Sequence, residues 1–171
     1  ETAASVTVIG GGAFRGCTGL TSVEIPASVT VIEVGAFRGC PGLTSIEVSS
    51  KNPQYISKNN CCLSHDGSRL IFGCFSSVIP SSVTEIGDGA FSGCTGLTSI
   101  EIPDSVRAIE AGAFQHCTGL ISVKMPASVT KLEYDAFHRC VGLKDIFINT
   151  KNPKESAIKG VGFSPSITLH V

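Results

Sequence analysis

An excess of charge of one sign is missing from this sequence, and so are long apolar runs. Its 171 residues carry 13 Lys and Arg against 14 Asp and Glu, which gives a formal net charge of −1. A chain without a cationic surplus lacks the electrostatic attraction that favours nucleic acid or an anionic membrane. No apolar run reaches the roughly 18 residues of a membrane-spanning helix. We therefore expect no nucleic-acid partner and no membrane insertion in this segment.

Sequence motifs of common catalytic, phosphate-binding and metal sites are also missing. The chain has no G-x-S-x-G, no H-E-x-x-H and no phosphate-binding loop. Residue types that bind zinc occur at Cys61, Cys62, His65 and Cys74. The adjacent cysteines lack the spacing of a zinc knuckle, however, and strand alternation would send their thiols to opposite faces. We expect no enzyme, no cofactor and no metal, and a Cys62–Cys74 disulfide stays open as an alternative.

The sequence does contain a repeat with a fixed period of 23. Ala-Phe occurs five times, each Phe is followed three residues later by Cys, and each Cys is followed three residues later by Leu. The cysteines of this pattern are Cys17, Cys40, Cys94, Cys117 and Cys140. A fixed period of this size is typical of a solenoid, in which each unit buries its apolar side against its neighbours.

One unit predicts three segments of a coil. Val23 and Ile25 alternate with polar residues, which indicates a strand that Pro26 ends because proline cannot donate to a ladder. A second short extended segment is predicted at 29–32. Residues 35–40 are too few for a stable helix and are interpreted as a helical turn whose Phe and Cys point inward.

The repeated cysteines are predicted to form a buried, reduced column, one in each coil. Free Cys packs as a small hydrophobic residue and is often fully buried. Replacing Cys40 with Ser should then cost about 1–3 kcal/mol, because it buries a hydroxyl group with no assured partner. A Cys-His nucleophile at Cys117 or Cys140 is the alternative, and rapid alkylation of either thiol would support it.

Residues 49–79 form a longer unit that breaks the pattern. They lack Ala-Phe, and Asp66-Gly67 stands between two apolar runs, which predicts a β-hairpin at about 60–73 that projects from or extends the sheet. Insertions in repeat arrays often lie on the binding face. Tyr55, Phe72 and Phe75 would supply aromatic anchors, which interfaces favour. The alternative is that these rings pack the hairpin onto its neighbours.

The predicted long sheet presents two outward columns of side chains. The first contains Ser22, Ser45, Ser76, Ser99, Ser122, Asp145 and Thr168, and the second contains Glu24, Glu47, Val78, Glu101, Lys124, Phe147 and His170. Glu24 and Glu47 would stand on neighbouring strands, where like charges are unfavourable, and this favours a cationic ligand. The alternative is a solvated face without a ligand. The candidate binding face is Ser22, Glu24, Ser45, Glu47, Ser99, Glu101, Ser122 and Lys124, together with the three aromatic residues of the long unit.

The repeat resembles the BspA-type leucine-rich repeat family. The pattern Ile-Pro-x-Ser-Val-x-x-Ile-x-x-x-Ala-Phe-x-x-Cys-x-x-Leu-x-x-Ile stands nearly intact at 79–100, 102–123 and 125–146. With the period of 23, it predicts a β-rich leucine-rich-repeat solenoid of about seven coils with short strands, helical turns and one β-hairpin insertion. We expect residues 1–171 to be a single domain and a fragment of a longer array, because the first coil lacks its strand entry. The alternative is that dimerisation covers the ends of the solenoid.

The resemblance implies a function but no catalytic residue, because the shared motif is structural. The family is mostly bacterial and secreted or exposed on the cell surface, and several members are implicated in adhesion to host matrix proteins, host cells or other bacteria. By analogy we expect a non-enzymatic module that binds a protein or glycan ligand through the sheet face and the hairpin. The alternative is a passive structural spacer in a larger surface protein.

Overall fold

The described part of the chain folds into a β-solenoid of about six turns. The computed structural model describes residues 6–149 and 168–170. The strands of these residues are β1 (Val8–Ile9), β2 (Ser22–Ile25), β3 (Val31–Ile32), β4 (Ser45–Val48), β5 (Tyr55–Lys58), β6 (Cys61–Ser64), β7 (Arg69–Gly73), β8 (Glu85–Ile86), β9 (Ser99–Glu101), β10 (Ala108–Ile109), β11 (Ser122–Pro126), β12 (Lys131–Leu132), β13 (Asp145–Asn149) and β14 (Thr168–His170). The prediction of about seven coils covers the whole chain, and its last unit, 149–171, lies mostly outside the described residues. The strands of the long unit all join the short-strand side.

The long side of the solenoid consists of parallel strands one coil apart. β2 pairs with β4 in one sheet, and β9, β11, β13 and β14 form another. Val23 stands opposite Ile46, and Val123 stands opposite both Ile100 and Ile146. Since each of these pairs joins equivalent positions of successive repeats, apolar side chains meet apolar side chains and share the inner face of the sheet.

Two-residue strands form the second side. β1 pairs with β3, while β8, β10 and β12 join the three strands of the long unit in a six-stranded sheet. The proline between the first two sides has the predicted effect in the second coil, where β2 ends at Ile25, directly before Pro26. In a later coil the strand continues through Pro126, the last residue of β11.

The third side consists of turns and not of the predicted helical turn. Within the described ranges no helix forms, so none is present that could cross a membrane. Ala36 N donates to Glu33 O at 3.2 Å and Arg38 N donates to Gly35 O at 3.0 Å, so only every second amide bonds locally. Gly35 and Gly39 have φ values of 73° and 69°, and such left-handed residues cannot belong to a right-handed helix.

The remaining amides of these turns bond to the next coil. Phe14 N donates to Ala36 O at 2.8 Å, and Gly16 N donates to Arg38 O at 2.9 Å. The turns therefore stack through backbone hydrogen bonds in the same way as strands do. This arrangement satisfies the amides that a helix would have paired internally.

Phenylalanine and cysteine columns fill the core behind the turns. Stacked ring pairs join Phe14 to Phe37 at 5.0 Å, Phe91 to Phe114 at 5.2 Å and Phe114 to Phe137 at 5.1 Å between centroids. Three buried cysteines of the column also have a fixed polar contact. The thiols of Cys40, Cys117 and Cys140 donate to the carbonyl oxygens of Phe14, Phe91 and Phe114 at 3.1, 3.0 and 3.0 Å.

The predicted hairpin exists and forms part of a three-stranded meander. β6 and β7 are antiparallel on either side of Asp66-Gly67, and β7 pairs in parallel with β8, so the hairpin extends the short-strand sheet. The repeat pattern does not predict β5, which pairs with β6 through a turn at Asn59 and Asn60. Their φ values of 52° and 57° fit a type I′ turn, and asparagine tolerates this conformation.

Candidate binding surfaces

The outer face of the long side carries the predicted columns of polar residues, in two separate patches. On the first patch, Glu24 of β2 stands directly opposite Glu47 of β4. Both side chains are exposed, and neither forms an ion pair among the residues that the structure describes. Two neighbouring carboxylates without a cationic partner repel each other, so this patch favours positively charged groups.

The second patch lies on the four-stranded sheet and has a mixed character. Ser99 stands opposite Ser122, and Glu101 stands opposite Lys124. Farther along, Lys124 faces Phe147, whose ring stacks on His170 at 4.5 Å. We call Ser99, Glu101, Ser122, Lys124, Asp145, Phe147 and His170 the four-strand patch.

Asp145 and the two stacked rings give this patch a fixed polar and aromatic edge. The His170 Nε2 atom lies 2.8 Å from Asp145 Oδ1, which holds the imidazole ring against Phe147. The Phe147 ring remains 43% exposed. An exposed ring beside a carboxylate and a lysine offers both apolar contact and hydrogen bonding to a ligand.

The two patches do not form the continuous face that the sequence predicts. Ser76 and Val78 belong to neither sheet, so the column is interrupted between β4 and β9. The Ser76 hydroxyl donates to Thr44 O at 2.7 Å, and Val78 N donates to Asn59 O at 3.1 Å. The meander thus holds this segment through its own turn, and no strand forms there.

The three aromatic residues of the long unit have three different environments. Phe72 is only 6% exposed and stacks on Phe37 at 4.3 Å, so it is a core residue and cannot anchor a ligand. Tyr55 is half-buried, and its hydroxyl accepts a hydrogen bond from Ile32 N at 3.0 Å. Phe75 is 39% exposed and lies against Gly96, so of the three it offers the most accessible ring.

Asn52 is a buried polar residue that the sequence analysis did not single out. Its side-chain amide donates to Pro26 O at 2.8 Å and to Val29 O at 2.9 Å. Its Oδ1 atom accepts from Gln54 N at 2.8 Å and from Tyr55 N at 2.9 Å. The sequence feature that points to Asn52 is the tripeptide Lys51-Asn52-Pro53, which recurs at 151–153. The second copy lies outside the described residues.

The cysteines are free thiols, and all but the half-buried Cys17 are buried. The predicted burial of the column is therefore confirmed for its other four members. Cys61 and Cys62 point into different core clusters, as strand alternation predicts, and the alternative disulfide between Cys62 and Cys74 does not form. Burial raises the pKa of Cys61 and of Cys94 to about 12, which disfavours the reactive thiolate.

Within residues 6–149 and 168–170, no group of three His, Cys, Asp or Glu side chains is arranged to hold a metal ion. Cys61 and Cys74 instead lie near backbone carbonyl oxygens and hydroxyl groups. The Cys61 thiol is 3.7 Å from Val78 O, and the Cys74 sulfur is 3.2 Å from Ser76 Oγ.

Comparison of the sequence with protein families gives one clear match. The profile of the BspA type leucine-rich repeat region matches residues 1–65 and 73–166, in six copies. Among curated proteins, no relative matches the sequence.

Solved structures of bacterial leucine-rich repeat proteins are similar to this fold. A leucine-rich repeat protein from Eubacterium ventriosum is 28% identical with a TM-score of 0.68, over 77% of this chain and 37% of its own. A leucine rich cell surface protein from Faecalibacterium prausnitzii is 30% identical with a TM-score of 0.63, over 98% of this chain and 51% of its own. The chain thus spans about half or less of the length of these proteins.

Proposed function

The chain belongs to the BspA-type leucine-rich repeat family, and from this premise we propose that it is a non-enzymatic, surface-exposed module that binds a partner protein. Leucine-rich repeat modules are typically non-catalytic binding modules. The similarity to a protein described as a leucine rich cell surface protein supports the surface location.

The observation that carries this proposal is the composition of the four-strand patch. Two of its charged side chains take little part in holding the fold together, whereas His170 is held by Asp145 and Phe147. Glu101 and Lys124 are exposed, and neither makes an ion pair within the described part of the chain. A partner can therefore use both charges without breaking a contact of the solenoid.

Phe147 supplies the apolar contact that binding surfaces need at their centre. Aromatic side chains contribute more binding energy than most residues, particularly when a partner covers them completely. Lys124 stands directly beside this ring in the sheet register. We assign Phe147 and Lys124 as the central contacts and Ser99, Glu101 and Ser122 as the surrounding polar contacts.

Phe75 would extend this surface towards the meander. Its ring packs against Gly96, which precedes β9 by three residues. The hairpin itself contributes β6, β7 and the core residue Phe72, so deletion of 60–73 would remove part of the fold. Replacing Phe75 with Ala is therefore the better test of the meander's role in binding.

The proposal can be tested with purified protein on beads, mixed with a panel of extracellular-matrix proteins and with intact cells. The binding variant carries Lys124→Ala and Phe147→Ala. The control carries Lys58→Ala and Tyr134→Ala, which remove one lysine and one exposed aromatic ring at other places. We expect the first variant to lose about tenfold or more in affinity, and the second to stay within twofold of the parent protein.

Equal losses in both variants would contradict the assignment of the four-strand patch. Failure of the parent protein to bind any protein or cell in the panel would contradict the binding function itself. That result would favour the alternative of a passive structural spacer.

A further inference from the structure

The turn side of the solenoid carries a group of cationic residues that neither sheet face includes. Two positions directly after each Phe of the column lie on this side, and their Arg and His side chains are all at least partly exposed, whereas Ser92 is buried. The first position contains Arg15, Arg38, Ser92, Gln115 and His138, and the second contains Gly16, Gly39, Gly93, His116 and Arg139. We call these ten positions the turn face.

Backbone hydrogen bonds hold the five turns in direct succession. Gly39 N donates to Ser92 O at 3.0 Å, although the whole long unit lies between them in sequence, because the meander contributes no turn of this kind. Gly93 N donates to Gln115 O at 2.8 Å, and His116 N donates to His138 O at 2.8 Å. With a spacing of about 4.8 Å between hydrogen-bonded chains, the five turns span roughly 19 Å.

The missing turn brings Arg38 close to the cations of the later coils. Its Nη2 atom donates to Gln115 Oε1 at 2.7 Å, a neutral acceptor. The His116 and His138 rings are 6.4 Å apart between centroids. Burial first, and then the positive charges of Arg38, Arg139, His138 and Arg15, lower the pKa of His116. The positive charges of turns on both sides therefore reach His116.

Acidic groups on this side do not neutralise the arginines. Asp88 is paired with Arg69 of β7 at 3.2 Å, and Asp135 lies 3.8 Å from His138. Within the described ranges, Arg15, Arg38 and Arg139 make no ion pair with a carboxylate. The turn face thus carries three arginines that form no ion pair among the described residues, on a chain whose total charge is near zero.

Two residues of the turn face occupy backbone positions that suit glycine. His116 and Arg139 have φ values of 61° and 58°, where the three preceding turns have Gly16, Gly39 and Gly93 at 69–77°. A side chain in this left-handed conformation costs about 1 kcal/mol. Folding alone would favour glycine at all five positions. The side chains at 116 and 139 therefore lower stability, while Arg139 adds a permanent positive charge to the face and His116 adds an imidazole that can hydrogen-bond to a ligand.

We propose that the turn face binds a sulfated glycan chain, which lies along the solenoid axis. Guanidinium groups bind the oxygens of sulfate and similar anions through paired, charge-assisted hydrogen bonds. The cations follow the axis of the stack, which suits a linear polymer with repeated anionic groups. A single-stranded nucleic acid would need a series of stacking rings along the face, whereas the exposed Phe and Tyr rings of the described turns, Phe14 and Tyr134, lie in the first turn and the last.

Binding to immobilised heparin, a highly sulfated linear glycan, tests the proposal at physiological salt. The probe variant carries Arg15→Gln, Arg38→Gln and Arg139→Gln. The control carries Lys51→Gln, Lys58→Gln and Lys144→Gln, which remove the same charge from exposed positions outside the turn face. We expect the probe variant to bind about tenfold more weakly and the control to change by less than threefold.

The single variant Arg139→Gly separates binding from folding. Glycine relieves the left-handed backbone at position 139, so we expect a more stable protein that binds heparin more weakly. An unstable variant cannot produce this combination.

Four results would overturn the proposal. The first two are that the parent protein does not bind heparin, or that the probe and control variants bind it equally weakly. The other two are that the parent protein binds heparin no more tightly than heparin that has been desulfated and then N-acetylated, or that it binds a single-stranded DNA oligomer more tightly than heparin. The probe variant should still bind a protein partner through the four-strand patch. A failure of the turn-face proposal therefore leaves the proposed protein-binding function untouched, and the reverse also holds.

Discussion

Asn52 connects the second coil to the meander, and its replacement by Ala should be among the most damaging polar substitutions in the chain. The side chain is only 3% exposed and forms four hydrogen bonds, all of them to backbone groups. Each such bond contributes about 1 kcal/mol net, and more when a buried partner is left without water. We expect Asn52→Ala to lower the free energy of unfolding by about 3–4 kcal/mol.

Asn52→Asp separates the stability that comes from the bonds the amide NH2 group donates from the stability that comes from the bonds its oxygen accepts. The carboxylate retains the bonds from Gln54 N and Tyr55 N but places an oxygen against the carbonyl groups of Pro26 and Val29. We expect a loss at neutral pH comparable to that of the Ala variant. Burial and the nearby carbonyl oxygens raise the pKa of the new carboxyl group, so part of the loss should return as the pH falls and it becomes protonated.

Urea titration of the parent, both variants and the exposed control Gln54→Ala provides the measurement. Amide hydrogen exchange should show the greatest loss of protection at residues 54 and 55, whose amides bond to Asn52. A change in unfolding free energy below about 1 kcal/mol for Asn52→Ala would refute the reasoning, because the four hydrogen bonds would then make almost no net contribution to stability.

Three further predictions concern the core and the hairpin. Cys40→Ser should lower the free energy of unfolding, measured by urea titration, by about 1 kcal/mol, the lower end of the range predicted from sequence. The cost is small because Phe14 O already accepts a hydrogen bond from the side chain at this position, and a loss above about 3 kcal/mol would contradict this reasoning. Gly73→Ala should destabilise the protein by more than about 2 kcal/mol, since a Cβ atom there would overlap the Phe91 ring, and an unchanged midpoint of urea unfolding would disprove the contact. Hydrogen bonds from the Ser64 hydroxyl and from Ser68 lower the pKa of Asp66 to about 2. The ionised carboxylate therefore stabilises the fold at a pH above 3.8, the ordinary pKa of Asp, and this stabilisation is lost as the pH falls towards 2. NMR titration of the Asp66 carboxyl group in the parent and in Ser64→Ala should show a higher pKa in the variant.

The regular repeat is sufficient to predict the fold family, the long strands and the buried Phe and Cys columns. It is sufficient because each repeated apolar residue meets its equivalent in the next coil, so local pattern and global packing agree. The Asp66-Gly67 turn is predictable for a similar reason, since few residue pairs fit a tight hairpin.

The turns and the environment of the long unit could not be predicted in the same way. A helical turn and a series of left-handed glycine turns use similar residues, and the choice depends on hydrogen bonds to the next coil. Phe72 is buried because the meander packs its ring against Phe37 in the core. The meander is not part of the repeat pattern, so the pattern cannot predict this contact. The turn face could not be predicted because its charged residues are far apart in the sequence and come together only when the turns stack.

The meander also determines how the solenoid should unfold. Its strand β6 places Cys61 and Leu63 in the core cluster of the later coils and Cys62 in that of the first coils. Phe72 likewise belongs to the cluster of the first coils, whereas Leu70 belongs to that of the later coils. In a simple repeat array the terminal coils can detach one at a time. Here neither half can lose its core without exposing residues of the same central strands, so the two halves should melt together as one cooperative unit.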